Sequence, residues 1–240
     1  MSELHLWRLA IDPARLAAVG RSQRIPAADD DQGYTIHALL CGLFGRTTAP
    51  KPWHFDRRQC VIWAYAPTSL DVGQAALADP LYHATIDWTQ SASRPVPVLA
   101  RGRQLAVSVR LCPVIRHGCR GNERASEHDV LLWQARQRQV PVSNLDPVAV
   151  YGEWLRERAW PANAGAELLQ LSISGWRKPH PAGASTWRGR GDGGLRLPDV
   201  TYSGTVEVTD PQAWMQQLAR GLGRHRAFGY GMLLIRPASG

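Results

Sequence analysis

Apolar and polar residues alternate along several short stretches of the chain, a pattern typical of half-buried β-strands. In the first half, the alternation predicts strands at residues 4–9, 59–65 and 104–111. In the second half, it predicts strands at residues 167–176 and 197–208. One more strand is predicted after the glycine-rich stretch near the C-terminus. β-Strands are therefore expected throughout the chain.

Apolar residues at helical spacing separate some of these strands. Residues 34–44 carry Ile36, Leu39 and Leu43 at intervals of three and four, and Gly45 follows them. This arrangement predicts a short amphipathic helix that ends at the glycine. Further helices are predicted at residues 127–137, at residues 148–158 and from Pro211 to about residue 220, the last with Asp210 as its N-cap.

The two halves of the chain share a rhythm of strands and helices. The rhythm predicts an α+β protein with two strand–helix–strand–strand–helix–strand units in tandem. Residues 116–125 are basic and contain glycine, so they are predicted to link a unit at residues 1–115 to a second at residues 126–240. Residues 13–33 are predicted to be a long polar connection, and residues 82–88 to be a strand.

The charge of the chain indicates what kind of partner it binds. The 240 residues carry a net charge of +8, with a sequence pI near 9.8. Such a balance points to nucleic acid or another anionic surface. Lys51 and Lys178 are the only lysines, so the charge is carried by arginine, whose planar fork suits phosphates and guanine edges. A GC-rich genome would also favour arginine, so the bias alone does not decide the partner.

Hydropathy and cysteine spacing limit the compartment and the cofactors. No stretch approaches the roughly 18 apolar residues of a membrane span, and the N-terminal residues lack a signal-peptide core, so a cytoplasmic location is predicted. The four cysteines form no C-x-x-C pair. Cys112 and Cys119, with His117 between them, have a poor spacing for zinc. We therefore expect no metal site and no other cofactor.

Residues 221–231 combine glycines and cations directly before the last predicted strand. Glycine lets the backbone turn at positive φ and lets a ligand approach the main chain, while neighbouring cations suit a phosphate-rich ligand. The segment is not a dinucleotide-binding motif, because it precedes a strand, and it lacks the Gly-Lys-Ser/Thr of a P-loop. A plain surface turn is the alternative. The predicted RNA-binding residues of this segment are Gly221, Gly223, Arg224, His225, Arg226, Gly229 and Gly231.

Together with this glycine-rich segment, four further stretches resemble the CasE branch of the CRISPR repeat-processing endoribonucleases of type I-E systems. They are residues 34–40, which contain a Tyr-x-x-His, residues 107–113, residues 150–155, and residues 197–211, which run into the segment. The chain departs from the family in a longer connection at residues 13–33 and in Cys112, where the family often has asparagine before the strand-ending proline.

The resemblance implies two tandem ferredoxin-like (RRM-like) domains with a C-terminal glycine-rich loop. It also implies binding of one CRISPR repeat stem-loop and a single metal-independent cut at the 3′ base of the stem. The products would carry a 2′,3′-cyclic phosphate (or 3′-phosphate) and a 5′-hydroxyl, and the enzyme would stay bound as a subunit of a crRNA-guided effector complex. A non-catalytic guide-RNA-binding subunit of such a complex is the alternative function. An RRM-like RNA-binding protein unrelated to CRISPR is a third, and it would not explain the C-terminal match.

His37 is the candidate general acid or base, because a histidine pKa lies near the working pH. Tyr34 lies one helical turn away, so its hydroxyl is placed to orient His37 or to bond a phosphate oxygen. Arg46 and Lys51 follow the helix and are candidates to stabilise the developing charge. A Tyr-x-x-His on a short helix is by itself more often packing or surface. The competing histidines are His5, His54, His117 and His225.

Residues 187–196 have the composition of a basic, glycine-rich hairpin tip able to enter an RNA groove near a stem end. Its arginines would meet guanine edges or phosphates, and its tryptophan would stack on a base. The alternative is a disordered basic loop with only nonspecific attraction to RNA. Besides the glycine-rich segment, the predicted RNA-binding residues are Trp187, Arg188, Arg190, Arg196, Lys178, Arg116 and Arg120.

Overall fold

The described part of the chain folds into two four-stranded antiparallel sheets, the helices that pack with them, and one small two-stranded hairpin. The computed structural model describes residues 3–25, 32–71, 75, 78–117, 126–176 and 198–238. None of the helices in these ranges is long and apolar enough to cross a membrane.

The first sheet is built from the N-terminal part of the chain, and its strands lie in the order β2-β3-β1-β4. This is the βαββαβ order of a ferredoxin-like unit, with an additional helix after β1. The elements are β1 (His5–Ile11), α1 (Pro13–Ser22), α2 (Gly33–Phe44), β2 (Trp53–Asp56), β3 (Val61–Ala66), α3 (Pro80–Thr85) and β4 (Ile86–Pro95).

The second sheet repeats this order with the C-terminal part of the chain, as β10-β5-β9-β8. The hairpin β6–β7 is inserted after its first strand. The elements are β5 (Gln104–Leu111), β6 (Val114–His117), β7 (Ser126–Asp129), α4 (Val130–Arg138), a 3₁₀ turn (Val142–Asn144), α5 (Pro147–Trp154), a π-helical turn (Leu155–Ala159), β8 (Ala166–Trp176), β9 (Val200–Val208), α6 (Pro211–Arg220), a 3₁₀ turn (Arg226–Phe228) and β10 (Leu234–Pro237).

The α+β fold with two tandem ferredoxin-like units is confirmed. The division between them differs from the prediction, because Gln104–Leu111 does not close the first unit. This strand pairs with β9 and β10 and is the first strand of the second sheet. The chain therefore passes from one sheet to the other between Pro95 and Gln104, and the basic segment predicted as the linker interrupts the second unit between β6 and β7.

Three predicted elements differ from the structure for one local reason: an aspartate N-cap starts a helix. Asp12 accepts hydrogen bonds from the first turn of α1, within the predicted polar connection. Asp79 does the same for α3, so residues 82–88 begin in a helix and continue as β4. Asp129 is the N-cap of α4, so this helix begins at Val130, three residues later than predicted. Residues 126–129 form β7.

Each unit has its own core, and the two cores meet. Leu9, Ile36 and Trp53 are buried in the N-terminal core. Most of the larger C-terminal core comes from β5, β9 and the helices of the second unit, but it also includes Tyr65 from β3. The Tyr65 hydroxyl donates a hydrogen bond to the Leu233 carbonyl oxygen at 2.9 Å, which ties the first sheet to the chain leading into β10.

Candidate active site and nucleic-acid interface

Helix α2 presents both predicted catalytic residues on its outer side. Ile36 and Leu39 face the N-terminal core and are fully buried. His37 is half-buried, and Tyr34, one turn before it, is 37% exposed. The amphipathic pattern of α2 thus keeps the tyrosine and the histidine beside each other at the surface.

A pocket opens beside His37, where the chain leaves α2 and returns towards β2. The structure brings Arg46 and Lys51, both exposed, to the rim of this pocket. Their placement next to His37 could not be derived from the sequence. The lining residues are His37, Leu40, Cys41, Arg46, Ala49, Pro50, Lys51, Trp53 and Ala227.

The surroundings of His37 favour its neutral form. Partial burial lowers the pKa of His37, and the positive charges of Arg46 and Lys51 lower it further. The Cys41 Sγ lies 3.7 Å from His37 Nδ1 and 3.8 Å from Nε2. Burial raises the pKa of the Cys41 thiol, with the two cations acting in the opposite direction. At neutral pH the site therefore pairs an uncharged imidazole, able to accept a proton, with two nearby cations.

The glycine-rich segment reaches α2 through Phe228. The Phe228 ring centroid lies 4.7 Å from that of Tyr34 and 5.0 Å from that of His37. Phe228 also packs against Cys112, Val114 and Tyr230 of the C-terminal unit. The candidate catalytic pair is thus in contact with both units, a contact for which the sequence carries no local signal.

Three glycines of this segment are close to other protein atoms. A Cβ at Gly229, whose φ is +86°, would lie 2.7 Å from the Trp53 ring. At Gly231 it would lie 2.2 Å from the Leu222 carbonyl oxygen, and at Gly221 it would lie 2.8 Å from Pro52. The positive φ is present at all three positions. The close approach to their main chain is made by protein atoms and leaves no space there for the predicted ligand. Gly223, in contrast, is exposed and has only ordinary contacts.

Glu127 contacts the two basic side chains that follow Gly223. Its carboxylate lies 2.7 Å from Arg224 Nε and 2.8 Å from His225 Nε2. The His225 side chain is 8% exposed and the Arg224 side chain 48% exposed. Arg226 donates a hydrogen bond to the Arg220 carbonyl oxygen. The β6–β7 hairpin is therefore tied to the glycine-rich segment, and Arg224 remains partly open to solvent.

The competing histidines lie in other surroundings. His54 on β2 is mostly buried; burial lowers its pKa, Arg110 lowers it further, and Asp56 opposes the change. Arg110 itself pairs with Asp199 at 2.7 Å. His5 lies 3.3 Å from Glu3. Neither His5 nor His54 lines the pocket of His37.

The described residues cover only part of the predicted RNA-binding surface. Arg116 is exposed on β6, opposite Glu127 in the hairpin. Within the described ranges, no group of three or more His, Cys, Asp or Glu side chains is placed to hold a metal ion. The predicted residues outside the described ranges are Arg120, Lys178, Trp187, Arg188, Arg190 and Arg196.

Comparison with known proteins identifies relatives of the whole chain. The family model described as "CRISPR associated protein" matches residues 4–237. The CRISPR endoribonuclease Cse3 bound to a 19-nucleotide RNA is similar, with a TM-score of 0.62 and 21% identity over 98% of this chain and 100% of that one. The CRISPR-associated protein Cas6e from Escherichia coli K-12 has a TM-score of 0.55 and 16% identity over 98% and 100% of the two chains.

A chain of a CRISPR RNA-guided surveillance complex is also similar, with a TM-score of 0.52 and 18% identity over 98% of this chain and 100% of that one. At these identities the likeness to solved structures establishes the shared fold. No curated protein sequence matches the chain significantly.

Proposed function

The chain belongs to the CRISPR-associated protein family, and on that premise we propose that it is a metal-independent endoribonuclease that cleaves precursor CRISPR RNA. It binds the repeat stem-loop and cuts at the 3′ base of the stem. The observation that carries the proposal is His37, held half-buried in a pocket with Arg46 and Lys51 on a fold shared with an RNA-bound CRISPR endoribonuclease.

The reaction needs no external nucleophile. The ribose 2′-oxygen attacks the adjacent phosphorus, its proton leaves, and the bond from phosphorus to the 5′-oxygen breaks. The products are a 2′,3′-cyclic phosphate, or its 3′-phosphate hydrolysis product, and a 5′-hydroxyl. In its neutral form His37 accepts the 2′-proton, and the leaving oxygen takes its proton from water. In its protonated form His37 supplies the proton to the leaving oxygen, and the 2′-proton passes to water. The lowered pKa favours the first role at neutral pH.

The groups around His37 complete this assignment. Arg46 and Lys51 stabilise the negative charge that develops on the phosphate oxygens. Tyr34 orients His37 or donates a hydrogen bond to a phosphate oxygen. Because RNA carries its own nucleophile, holding the attacking and leaving oxygens in line supplies much of the rate. The chemistry thus rests on residues of α2 and of the loop that follows it.

The RNA hairpin is bound by residues outside the pocket of His37, most of them basic. Gly223, Arg224 and Arg226 are the part of the glycine-rich segment best placed for RNA, because Gly221, Gly229 and Gly231 are buried against protein. Arg116 lies on the β6–β7 hairpin of the protein, and Glu127 of the same hairpin binds Arg224 of the glycine-rich segment. The product complex then joins other subunits of an effector complex, as its likeness to a chain of a surveillance complex supports. The remaining proposed contacts are Arg120, Lys178, Trp187, Arg188, Arg190 and Arg196.

The reaction is tested with the purified protein and its own repeat hairpin. Cleavage should proceed in EDTA and should leave a 5′-hydroxyl. A single 2′-deoxynucleotide on the 5′ side of the scissile phosphate should abolish it while leaving binding intact. Cutting of the deoxy substrate would refute the internal attack.

The role of His37 is tested by substitution. His37→Ala should lower the single-turnover rate by about two orders of magnitude or more, with little change in hairpin affinity, as expected on loss of a general acid–base. Tyr34→Phe should have a smaller effect. His83→Ala is the control, because His83 stacks on Trp88 and does not line the pocket. If RNA is bound but neither wild type nor His37→Ala cuts it, the alternative of a non-catalytic guide-RNA-binding subunit replaces this proposal. If both cut equally, the assignment of His37 is wrong, and His5 and His54 are the next candidates.

RNA binding by residues 187–196 is tested by titrating the protein with the cognate and a shuffled RNA stem at two salt concentrations. If Arg188, Arg190 and Arg196 contact phosphates, each alanine substitution should make the slope of log K against log salt shallower by up to about one unit. If one of them reads a guanine edge, its loss should cost roughly 1–3 kcal/mol on the cognate stem and almost nothing on a shuffled stem. Equal affinity of the triple alanine variant and wild type would assign binding to the glycine-rich segment and to Arg116 and Arg120.

A further inference from the structure

Phe228 of the glycine-rich segment contacts both members of the candidate catalytic pair with its ring. Its ring meets His37 edge-on, with an interplanar angle of 61°, and meets Tyr34 at 45°. An imidazole attached to an exposed helix rotates readily about its χ2 torsion, which has broad minima. A ring packed against its side restricts that rotation and excludes water from one side of the imidazole.

Phe228 is itself fixed by contacts within the C-terminal unit. It ends the 3₁₀ turn Arg226–Phe228, and its ring packs against Cys112, Val114 and Tyr230. The turn begins after His225, whose backbone is in the left-handed region at φ +58°. The His225 side chain is fixed by Glu127 at 2.8 Å, and its ring lies 6.4 Å from that of Phe228. A continuous series of contacts thus runs from the β6–β7 hairpin through Glu127, His225 and Phe228 to α2.

We propose that Phe228, braced by the contact of His225 with Glu127, is a positioning residue that fixes the ring orientations of His37 and Tyr34 for RNA cleavage. The inference rests on the proposed function and adds to it a residue from the far end of the chain. It makes the catalytic pair dependent on the correct docking of the C-terminal unit. Phe228 takes no part in proton transfer.

The proposal predicts a change that loss of stability alone would not cause. The titratable and charged groups that act on His37 are Cys41 on its own helix and Arg46 and Lys51 after that helix. Tyr34 and His225 contact the Phe228 ring, and Arg226 begins the turn that Phe228 ends. Phe228→Ala removes an uncharged ring and none of these groups. It should therefore hydrate His37 and move the midpoint of its titration upward, towards the ordinary histidine value.

The experiment measures two quantities on the full chain. The first is the titration of His37 by NMR of histidine-labelled protein without RNA, with the resonance assigned from His37→Ala. The second is the single-turnover rate at saturating protein. Phe228→Ala should raise the His37 midpoint and lower the rate by roughly 10- to 100-fold, with hairpin affinity within about twofold of wild type. Phe228→Leu, which refills most of the volume, should restore much of the rate.

A matched truncation controls for stability. Phe55 on β2 is a partly buried member of the N-terminal core and does not line the pocket of His37. Phe55→Ala, assayed well below its unfolding temperature, should leave both the rate and the His37 midpoint unchanged. Equal behaviour of the two alanine variants would overturn the proposal.

The contribution of the Glu127–His225 contact is tested by a double-mutant cycle of Glu127→Ala and Phe228→Ala. Glu127→Ala should lower the rate in the wild-type background and should have little further effect when Phe228 is already alanine, because both act through one series of contacts. Full additivity would overturn the part assigned to Glu127. Failure of this inference is distinguishable from failure of the proposed function: in the first case wild type cuts and His37→Ala does not, and in the second the two are equal.

Discussion

At the scale of single residues, the charge state of His37 is the property on which the proposed chemistry depends. Burial, Arg46 and Lys51 all lower the pKa of His37. If neutral His37 is the base, the cleavage rate rises with pH and levels off above a midpoint below the ordinary histidine value of about 6.5. If protonated His37 is the acid, the rate instead falls with rising pH through the same midpoint. A cleavage rate that rises with pH through the midpoint therefore identifies His37 as the base, and a rate that falls identifies it as the acid.

Arg46 provides a direct test of the electrostatic part of this picture. Arg46→Gln removes a cation that disfavours protonated His37, so the midpoint of the pH–rate profile should move upward by a fraction of a pH unit. The shift should shrink at high salt, because Arg46 is exposed and its charge is screened. Arg57→Gln, at an exposed position between β2 and β3, is the charge-matched control. An unchanged midpoint in Arg46→Gln would contradict the electrostatic role of Arg46.

The sequence located part of this site and missed the rest for a physical reason. Helical spacing is a local property, so it places Tyr34 and His37 on one side of α2 before any tertiary contact is known. The contacts of Phe228 with this pair depend on how the two units pack, which no local pattern encodes. The contacts of Glu127 with Arg224 and His225 are also long-range, so the sequence predicts these two side chains only as contacts for RNA.

At the scale of elements, one local sequence signal recurs at the start of the helices. Four helices of the described chain begin with an aspartate N-cap followed by proline: α1, α3, α5 and α6. The aspartate side chain accepts from the free amides of the first turn, and proline lacks the amide that would have no partner there. Asp210 before proline predicts α6, which the structure contains. The same pair at Asp12 and Asp79 favours α1 and α3, where polarity and alternation instead predict a connection and a strand.

Asp129 caps α4 from a buried position, and this makes the stability of the element depend on pH. The carboxylate accepts from the Leu131 amide at 2.6 Å and from the Tyr151 hydroxyl at 3.1 Å. Burial raises the pKa of Asp129 to about 6, although these hydrogen bonds oppose the change. Because the folded-state pKa exceeds the unfolded value of about 3.9, this group contributes stability that is complete at low pH and is lost as the pH rises to about 6.

We therefore expect the free energy of unfolding to depend on pH differently in wild type and in Asp129→Asn. In Asp129→Asn, which keeps a side-chain oxygen for the cap, this contribution should be absent. Urea unfolding from pH 4 to pH 7.5 should show wild type losing up to about 3 kcal/mol relative to the variant over this range. Parallel profiles would show that Asp129 titrates as an ordinary carboxyl group.

At the scale of the whole molecule, the repetition of one topology was predictable and the division between the units was not. Alternating strands and intervening helices predict the rhythm of two units, and the glycine-rich segment with its companion stretches indicates a CRISPR-associated family, which the match of the family model over residues 4–237 confirms. Which sheet contains Gln104–Leu111 depends on pairing with β9 and β10, residues far along the chain. Strand partners of this kind are set by long-range packing, so the composition of a basic, glycine-containing segment does not locate the boundary between the units.

The contact of the glycine-rich segment with the N-terminal unit leads to a prediction about the whole molecule. Trp53 is buried in the N-terminal core, and its Nε1 donates a hydrogen bond to the Ala227 carbonyl oxygen at 3.1 Å. A Cβ at Gly229 would lie 2.7 Å from the Trp53 ring, whereas one at Gly223 would lie 3.4 Å from its nearest neighbour, Leu111. Both glycines have positive φ, so alanine at either position carries the same kind of backbone strain.

Gly223→Ala is therefore the matched control for Gly229→Ala. The control should lose roughly 1–2 kcal/mol of unfolding free energy from strain alone. Gly229→Ala should lose a further 1–3 kcal/mol, because the methyl group must displace a buried tryptophan between the two units. It should also move Ala227 and Phe228 away from α2. Its single-turnover rate at saturating protein, where a change in hairpin affinity at Gly223 has no effect, should therefore fall more than that of the control in protein that is still folded. Urea unfolding and single-turnover cleavage of the two variants, measured side by side, check both expectations; equal losses in the two would show that Trp53 and Gly229 do not couple the units.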